Sequence, residues 1–455
     1  MATPPPLPGS QRRRRIWAKF FVALVLLLLP VVLWLYISPD EPPPDVSDFT
    51  AKPRQLPNDQ NAYAIIMQAA ALVTTDLFKA NSDQLNDMTK GKNWDAPLAR
   101  TWLDGTDAIW PLWEQAARTP QGQAPSGTAV GYTNSDVQAI NNLNKLAQIR
   151  AWDLAHNGKP DAAIEFLFTT LQVAQRLEQS RGDPIYYHIA TGIRGTVLNS
   201  LRGITTEFKP PAVLLRQTLR QMEANRPGKE AFANLLRGEY RGFSHGLENP
   251  EAAYFGSKDV DEGLHLYVKI STYFPYFFHP NQTRRIYAEA IRNSIGAIDL
   301  PTGYPGDLRN IDNLRKILSG FHGNNLGLAL LVASVPFQAN ELDMRLTQQS
   351  RLSANEAFLA LVLYHRDHGE LPATLDTLVP DYLPAVPRDY FDGQPIRYSR
   401  DFRAVWSVGN DHFAVTSADL DPEEIAHHSD NVCLPLDFAA PVVDPPPAPA
   451  TARPL

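Results

Sequence analysis

Gly242-Phe243-Ser244-His245-Gly246 fits the G-x-S-x-G expression of a nucleophile elbow, in which a sharp strand-to-helix turn exposes a serine oxygen to an acid and a histidine. That chemistry requires a buried apolar strand before Gly242. The chain offers Ala231 to Tyr240 (AFANLLRGEY), a helix-like stretch carrying Arg237 and Glu239. A glycine-rich link between helices therefore explains the match better than an envelope serine hydrolase with Ser244 as nucleophile. His365 and His368 lie three apart on the last turn of a helix and could face one metal. A pair without a third ligand is incomplete, and histidines near a helix C-terminus also suit the local dipole. His427, His428, Asp430 and Cys433 gather in a Pro-rich tail, where adventitious chelation is the most to expect. Trp94, Trp102, Trp110 and Trp113 could stack on sugars as a glycan-binding module, but tryptophans anchoring a helical core are the commoner case. P-loop, dinucleotide, HExxH and paired-Cys motifs are absent. The sequence thus assigns no catalytic, cofactor-binding or metal-ligating residue, and no cofactor.

Four arginines, Arg12 to Arg15, directly precede an apolar run from Ile16 to Ile37. A helix needs about 20 mainly apolar residues to cross the roughly 30 Å hydrocarbon layer, and this run supplies them. The basic side stays cytoplasmic, while Asp40, Glu41 and Asp45 follow the exit, so the bulk of the chain is expected outside. Trp17 suits one headgroup zone, and Trp34 with Tyr36 the other. A cleaved secretory signal is the rival reading. The apolar run exceeds the usual 7 to 15 residues of a signal, and Tyr36 to Asp40 offers no small-x-small site, so an uncleaved signal anchor is favoured.

The chain has 455 residues, 42 Lys plus Arg against 49 Asp plus Glu, and a net charge of -7. A mildly acidic chain whose one basic block lies beside the apolar run is a poor nucleic-acid binder. The single Cys433 excludes an intramolecular disulfide, so packing must hold the fold. Prolines, 39 in all, cluster at positions 4 to 8, 39 to 57 and 435 to 454, which read as extended, poorly ordered tails or a spacer.

The elements between are mainly helical. Ala62, Ile65, Ile66, Ala69, Ala70 and Val73 mark one helix face, with Asn58 or Asp59 as cap. Ser135 to Gln179 reads as an αα-hairpin turning at Asn157-Gly158-Lys159-Pro160, followed by a helix from Pro184 to Gly203 with Gly192 and Gly195 as close-packing points. Tyr267 to Phe278 is aromatic enough to lie on a membrane surface, although buried packing is the favoured reading. Leu326 to Phe337, only about 12 residues long, is too short to span and is expected as a core helix. Leu342 to His368 is a second long helix, ended by Gly369 and Pro372. Ile396 to Tyr398 and Val405 to Val408 then form a hairpin through Asp401.

Two resemblances follow. The turn GKPDAAIEF resembles the inter-helix turn of tetratricopeptide hairpins, although no repeat recurs at that period. Residues 360 to 399 resemble the region after the long helix of type II secretion major pseudopilins. Tyr364, Gly369, Pro372, Leu375, Leu378, Val379, Pro387, Asp389, Gly393, Pro395 and Tyr398 fall on that family's pattern. Its processing glycine and glutamate are absent from Arg15 to Phe20, so pilin-like processing is not implied, and Ser407 to Asp411 carries only part of its calcium loop. As a whole the chain, with its LRGEY and HPNQT elements, resembles bacterial membrane-anchored proteins of unassigned activity that share this C-terminal unit.

The expected organisation is a cytoplasmic tail (1–15), a transmembrane helix (16–37), a Pro-rich linker (38–57), a helical domain (58–340), a small pseudopilin-like α+β module (341–413) and a largely disordered Pro-rich tail (414–455). The fold class is mainly α. The expected role is a single-pass protein of the inner membrane, N-terminus in, acting as a periplasmic scaffold with protein partners, linked to secretion or surface assembly.

Overall fold

In the computed structural model, residues 9–37, 39–49, 56–73, 82–125, 134–180, 182–254, 262–298, 323–409 and 432–439 are described, and most of them are helical. Helix α1 (Gly9–Ile37) holds the apolar window Ile16–Leu33, none of it buried, and this window is long and apolar enough to cross a membrane. By length and composition alone a signal sequence passes the same test.

Helix α2 (Ala62–Ala71) buries Ala62, Ile65, Ile66, Ala69 and Ala70, the face that the spacing predicts. Its cap is neither Asn58 nor Asp59, because residues 58–60 form a separate 3₁₀ turn. Asn61 caps instead, its side chain accepting the Tyr63 N–H at 3.1 Å and that of Gln123 at 2.8 Å. Helices α3 (Ser82–Met88), α4 (Ala96–Leu103) and α5 (Ile109–Arg118) follow. Next come α6 (Asn134–His156), α7 (Pro160–Gln179) and α8 (Ile185–Phe208), which pack on one another. The turn between α6 and α7 places Gly158 at φ +75°, which glycine adopts without strain.

Close packing on α8 occurs at a glycine other than Gly192. A Cβ on Gly192 would meet nothing within 4 Å, whereas one on Gly203 would come within 2.7 Å of the Trp152 ring. The Trp152 indole lies against Gly91 as well, and its Nε1 donates to Ser200 Oγ at 3.2 Å. Gly195 approaches only the Arg351 guanidinium, at 3.1 Å.

Helices α9 (Ala212–Ala224), α10 (Lys229–Gly246), α11 (Pro250–Tyr254), α12 (Glu262–Tyr273) and α13 (Pro280–Gly296) lead to α14 (Asn325–His368). At 44 residues, α14 is about 66 Å long and fuses the two helices expected at Leu326–Phe337 and Leu342–His368. The joining residues Gln338 to Glu341 contain no glycine, and Pro336 does not end the helix. The expected domain boundary at 340/341 therefore falls inside one rod. Leu326, Leu330, Leu331 and Leu342 of α14 join a core with α10 and α13, while Leu352 to Leu363 join the larger core of α2 and α5–α8.

After Gly369, at φ +78°, a 3₁₀ turn (Leu375–Leu378) leads to β1 (Arg397–Ser399) and β2 (Ala404–Trp406), paired antiparallel with Tyr398 opposite Val405. A third strand, β3 (Cys433–Pro435), pairs antiparallel with β2 and places Leu434 opposite Val405. It comes from the Pro-rich tail that was expected to be largely disordered. Val432, Leu434 and Leu436 alternate into the core and supply the driving force.

The segment 39–49, read from its prolines as a loose spacer, is bound along α13. Asp40 Oδ2 accepts the Asn281 N–H at 2.7 Å and its Oδ1 that of Gln282 at 3.2 Å. Glu41 takes both Nε and Nη2 of Arg285, at 2.7 and 3.1 Å. Asp48 binds Arg292 in the same two-pronged way, at 2.7 and 2.9 Å. Phe49 is fully buried and stacks on Tyr240 at 4.4 Å.

Candidate functional site

Ser244 lies inside α10, with helix rather than strand before it, so the elbow geometry is absent. Its Oγ accepts from Arg284 Nε at 3.0 Å, which fixes α10 to α13. The neighbouring His245 reaches outward to Glu248, at 3.2 Å. Of the tryptophans expected as core anchors or sugar platforms, Trp102, Trp110 and Trp113 are core, at 1%, 3% and 0% exposed, while half-buried Trp94 packs against that core and stacks on His156 at 4.6 Å. The indole faces of Trp102, Trp110 and Trp113 are thereby closed to a glycan.

His365 and His368 do not converge. His368 stacks on Tyr364 at 4.0 Å, while His365 faces Phe438 at 5.7 Å. Among the described residues no cluster of three or more metal-ligating side chains occurs. His427, His428 and Asp430 lie outside the described residues, as do Asn410 and Asp411. Cys433 sits in β3 outside any disulfide, its pKa pushed up to about 11 by burial, so it is no ready nucleophile.

Asp389, one of the pseudopilin-pattern positions, is a fully buried hub. Oδ1 accepts from Ser350 Oγ of α14 at 2.8 Å, Ser407 Oγ at 2.9 Å and the Phe391 N–H at 3.1 Å. Oδ2 accepts the Val408 N–H at 2.8 Å. With so many donors satisfied, this carboxylate fastens loop, sheet and helix together and is occupied structurally.

A groove of about 460 Å³ runs between α9 and residues 381–387. Leu219, Leu383 and Val386 give it an apolar lining, with Arg216, Arg220 and Glu356 along it. Arg216 lies over the Tyr382 ring at 5.0 Å, and Arg226 grips both oxygens of Glu356 at 2.7 and 2.8 Å. Burial, only partly offset by Arg226, pushes the Glu356 carboxyl up to about 7. Apolar walls between mixed charges suit an extended peptide.

A second polar cluster joins α8, α10 and α14. His188 Nε2 meets Glu341 Oε1 at 3.0 Å. Burial, reinforced by the charge of Glu341, pushes Glu239 up to about 7. Burial opposes the His188 imidazolium, but the hydrogen bond to Glu341 and the charges of Glu341, Glu239 and Asp183 outweigh it and raise its pKa. No local pattern marks this cluster, because its members come from three distant helices.

No family model, curated protein or solved structure matches the chain. Function must therefore be read from these features alone.

Proposed function

We propose that this protein is a membrane-anchored scaffold of the bacterial envelope, engaging protein partners in secretion or surface assembly. The observation that carries the reading is the direct passage from an apolar helix with no buried residue in its window into a segment clamped to the folded domain. Such a junction suits a tether better than a removable leader, since residues just past the helix already belong to the domain. The positive-inside rule, applied to Arg12 to Arg15, puts the N-terminus in the cytoplasm and the domain beyond the inner membrane.

Three features support the interaction role. The α6–α7 pair reads as a tetratricopeptide-like hairpin. The helix, loop and sheet after Leu342 read as a pseudopilin-like α+β unit organised on Asp389. The groove beside α9 offers a partner an apolar track. A serine hydrolase has no support from the helix at Ser244.

Proximity crosslinking in intact cells, with the label placed beside Arg220, tests this reading. Recurrent capture of the same envelope proteins, lost on Arg220→Glu, is the expected result. Labelling no different from an unrelated anchored domain contradicts it.

A further inference from the structure

Helix α12 turns two different faces to its surroundings. Val268 and Ser271 are 0% and 1% exposed, whereas Leu266, Tyr267, Ile270 and Tyr273 are 59%, 41%, 44% and 68% exposed. At about 100° per residue these four side chains span about 120° of the helix, a continuous apolar and aromatic stripe. Such a stripe on the surface needs an occupant.

Its position identifies that occupant. The 3₁₀ turn Pro275–Phe277, directly after α12, packs against α1. Asn281 and Gln282, at the start of α13, bind Asp40, three residues beyond the end of α1. The Asp40 bonds therefore hold the α12–α13 corner at the exit of the apolar helix, and the turn's contact with α1 keeps that corner against it. A side chain at that exit stands at the height of the headgroups and upper acyl chains. Tyrosines favour that zone, and exposed Lys269 beside the stripe suits anionic headgroups.

We propose that the Leu266–Tyr267–Ile270–Tyr273 face of α12 is a lipid-binding surface that lies in the outer boundary of the bilayer spanned by α1. The domain then meets the membrane in two places and is held at a fixed attitude to it. The proposal rests on the anchor reading.

The test uses the full chain, with Cys433→Ser, in vesicles of phosphatidylcholine and phosphatidylglycerol. Single cysteines at Leu266→Cys and Ile270→Cys carry bimane, with Phe21→Cys inside α1 and exposed Val213→Cys on α9 as references. Shallow doxyl-labelled lipid is expected to dim bimane at 266 and 270 about two-fold relative to 213, and a deeper doxyl label to dim it at 21. Quenching at 21 with 266 and 270 behaving like 213 overturns the proposal and leaves the anchor standing. No quenching at 21 removes the anchor and this surface with it. Shielding of 266 and 270 from aqueous iodide without lipid quenching assigns the face to a protein and also overturns the proposal.

Discussion

The carboxylate of Asp40 receives the backbone N–H of Asn281 at 2.7 Å, although the two residues lie 241 positions apart. An aspartate from just past α1 thereby serves the first turn of α13, whose own N-cap, His279, makes no side-chain cap hydrogen bond. The negative charge also meets the positive end of the helix. This contact joins the apolar helix to the body of the protein.

Asp40→Ala removes both acceptors. A lost cap costs about 1 kcal/mol, so the amides of Asn281 and Gln282 are expected to exchange hydrogen several-fold faster, with amides in the α6–α8 core unchanged. Unchanged exchange at 281 and 282 would show that the clamp is not maintained in solution.

Gly203→Ala and Gly192→Ala should move stability in opposite directions. The first drives a methyl into Trp152 and is expected to cost about 1–3 kcal/mol. At exposed Gly192 the methyl meets open space, and the helix gains up to about 1 kcal/mol. Urea midpoints of the detergent-solubilised chain measure both.

Asp389→Ala strands the Ser350 and Ser407 hydroxyls and the Phe391 and Val408 amides inside the core. A loss of about 3 kcal/mol or more is expected, whereas Ser350→Ala removes one of these donors and the acceptor of the Tyr390 N–H and costs about 1–2 kcal/mol. Denaturant unfolding followed by intrinsic tryptophan fluorescence tests the ranking, and equal effects would refute the hub.

Two parts of the molecule respond to pH with opposite signs. Glu239 and Glu356 have folded pKa values of about 7, above the ordinary 4.5 of the unfolded chain, and that of His188 is also raised. The folded state therefore binds more protons across that window, and the stability these groups contribute is lost as pH rises through 7. Glu41 and Asp48 are lowered, chiefly by hydrogen bonds from Arg285 and Arg292, so the clamp weakens as pH falls through their depressed values. Glu239→Gln is expected to lose less stability than the parent between about pH 5 and about pH 8. An identical loss in both would exclude Glu239 as a contributor.

Local signals were legible and long-range ones were not. The α2 face, the α6–α7 turn at Gly158 and the stop at Gly369 follow from periodicity and backbone freedom. Asn61 was missed because a 3₁₀ turn shifts the helix start past Asn58 and Asp59. Proline content masked both the clamp and β3: Asp40 and Glu41 find partners 240 or so residues away, and the alternation of Val432, Leu434 and Leu436 spans too few residues to stand out. Ser244 matched a motif whose meaning depends on a strand, and only the tertiary structure shows a helix.

The tether is tested most directly by extracting membranes at alkaline pH and identifying the retained chain by mass spectrometry. The account predicts that the pellet holds a single polypeptide in which Ile16–Leu33 is still covalently joined to Asp40–Phe49. A soluble product beginning between Ile37 and Asp40 would contradict it.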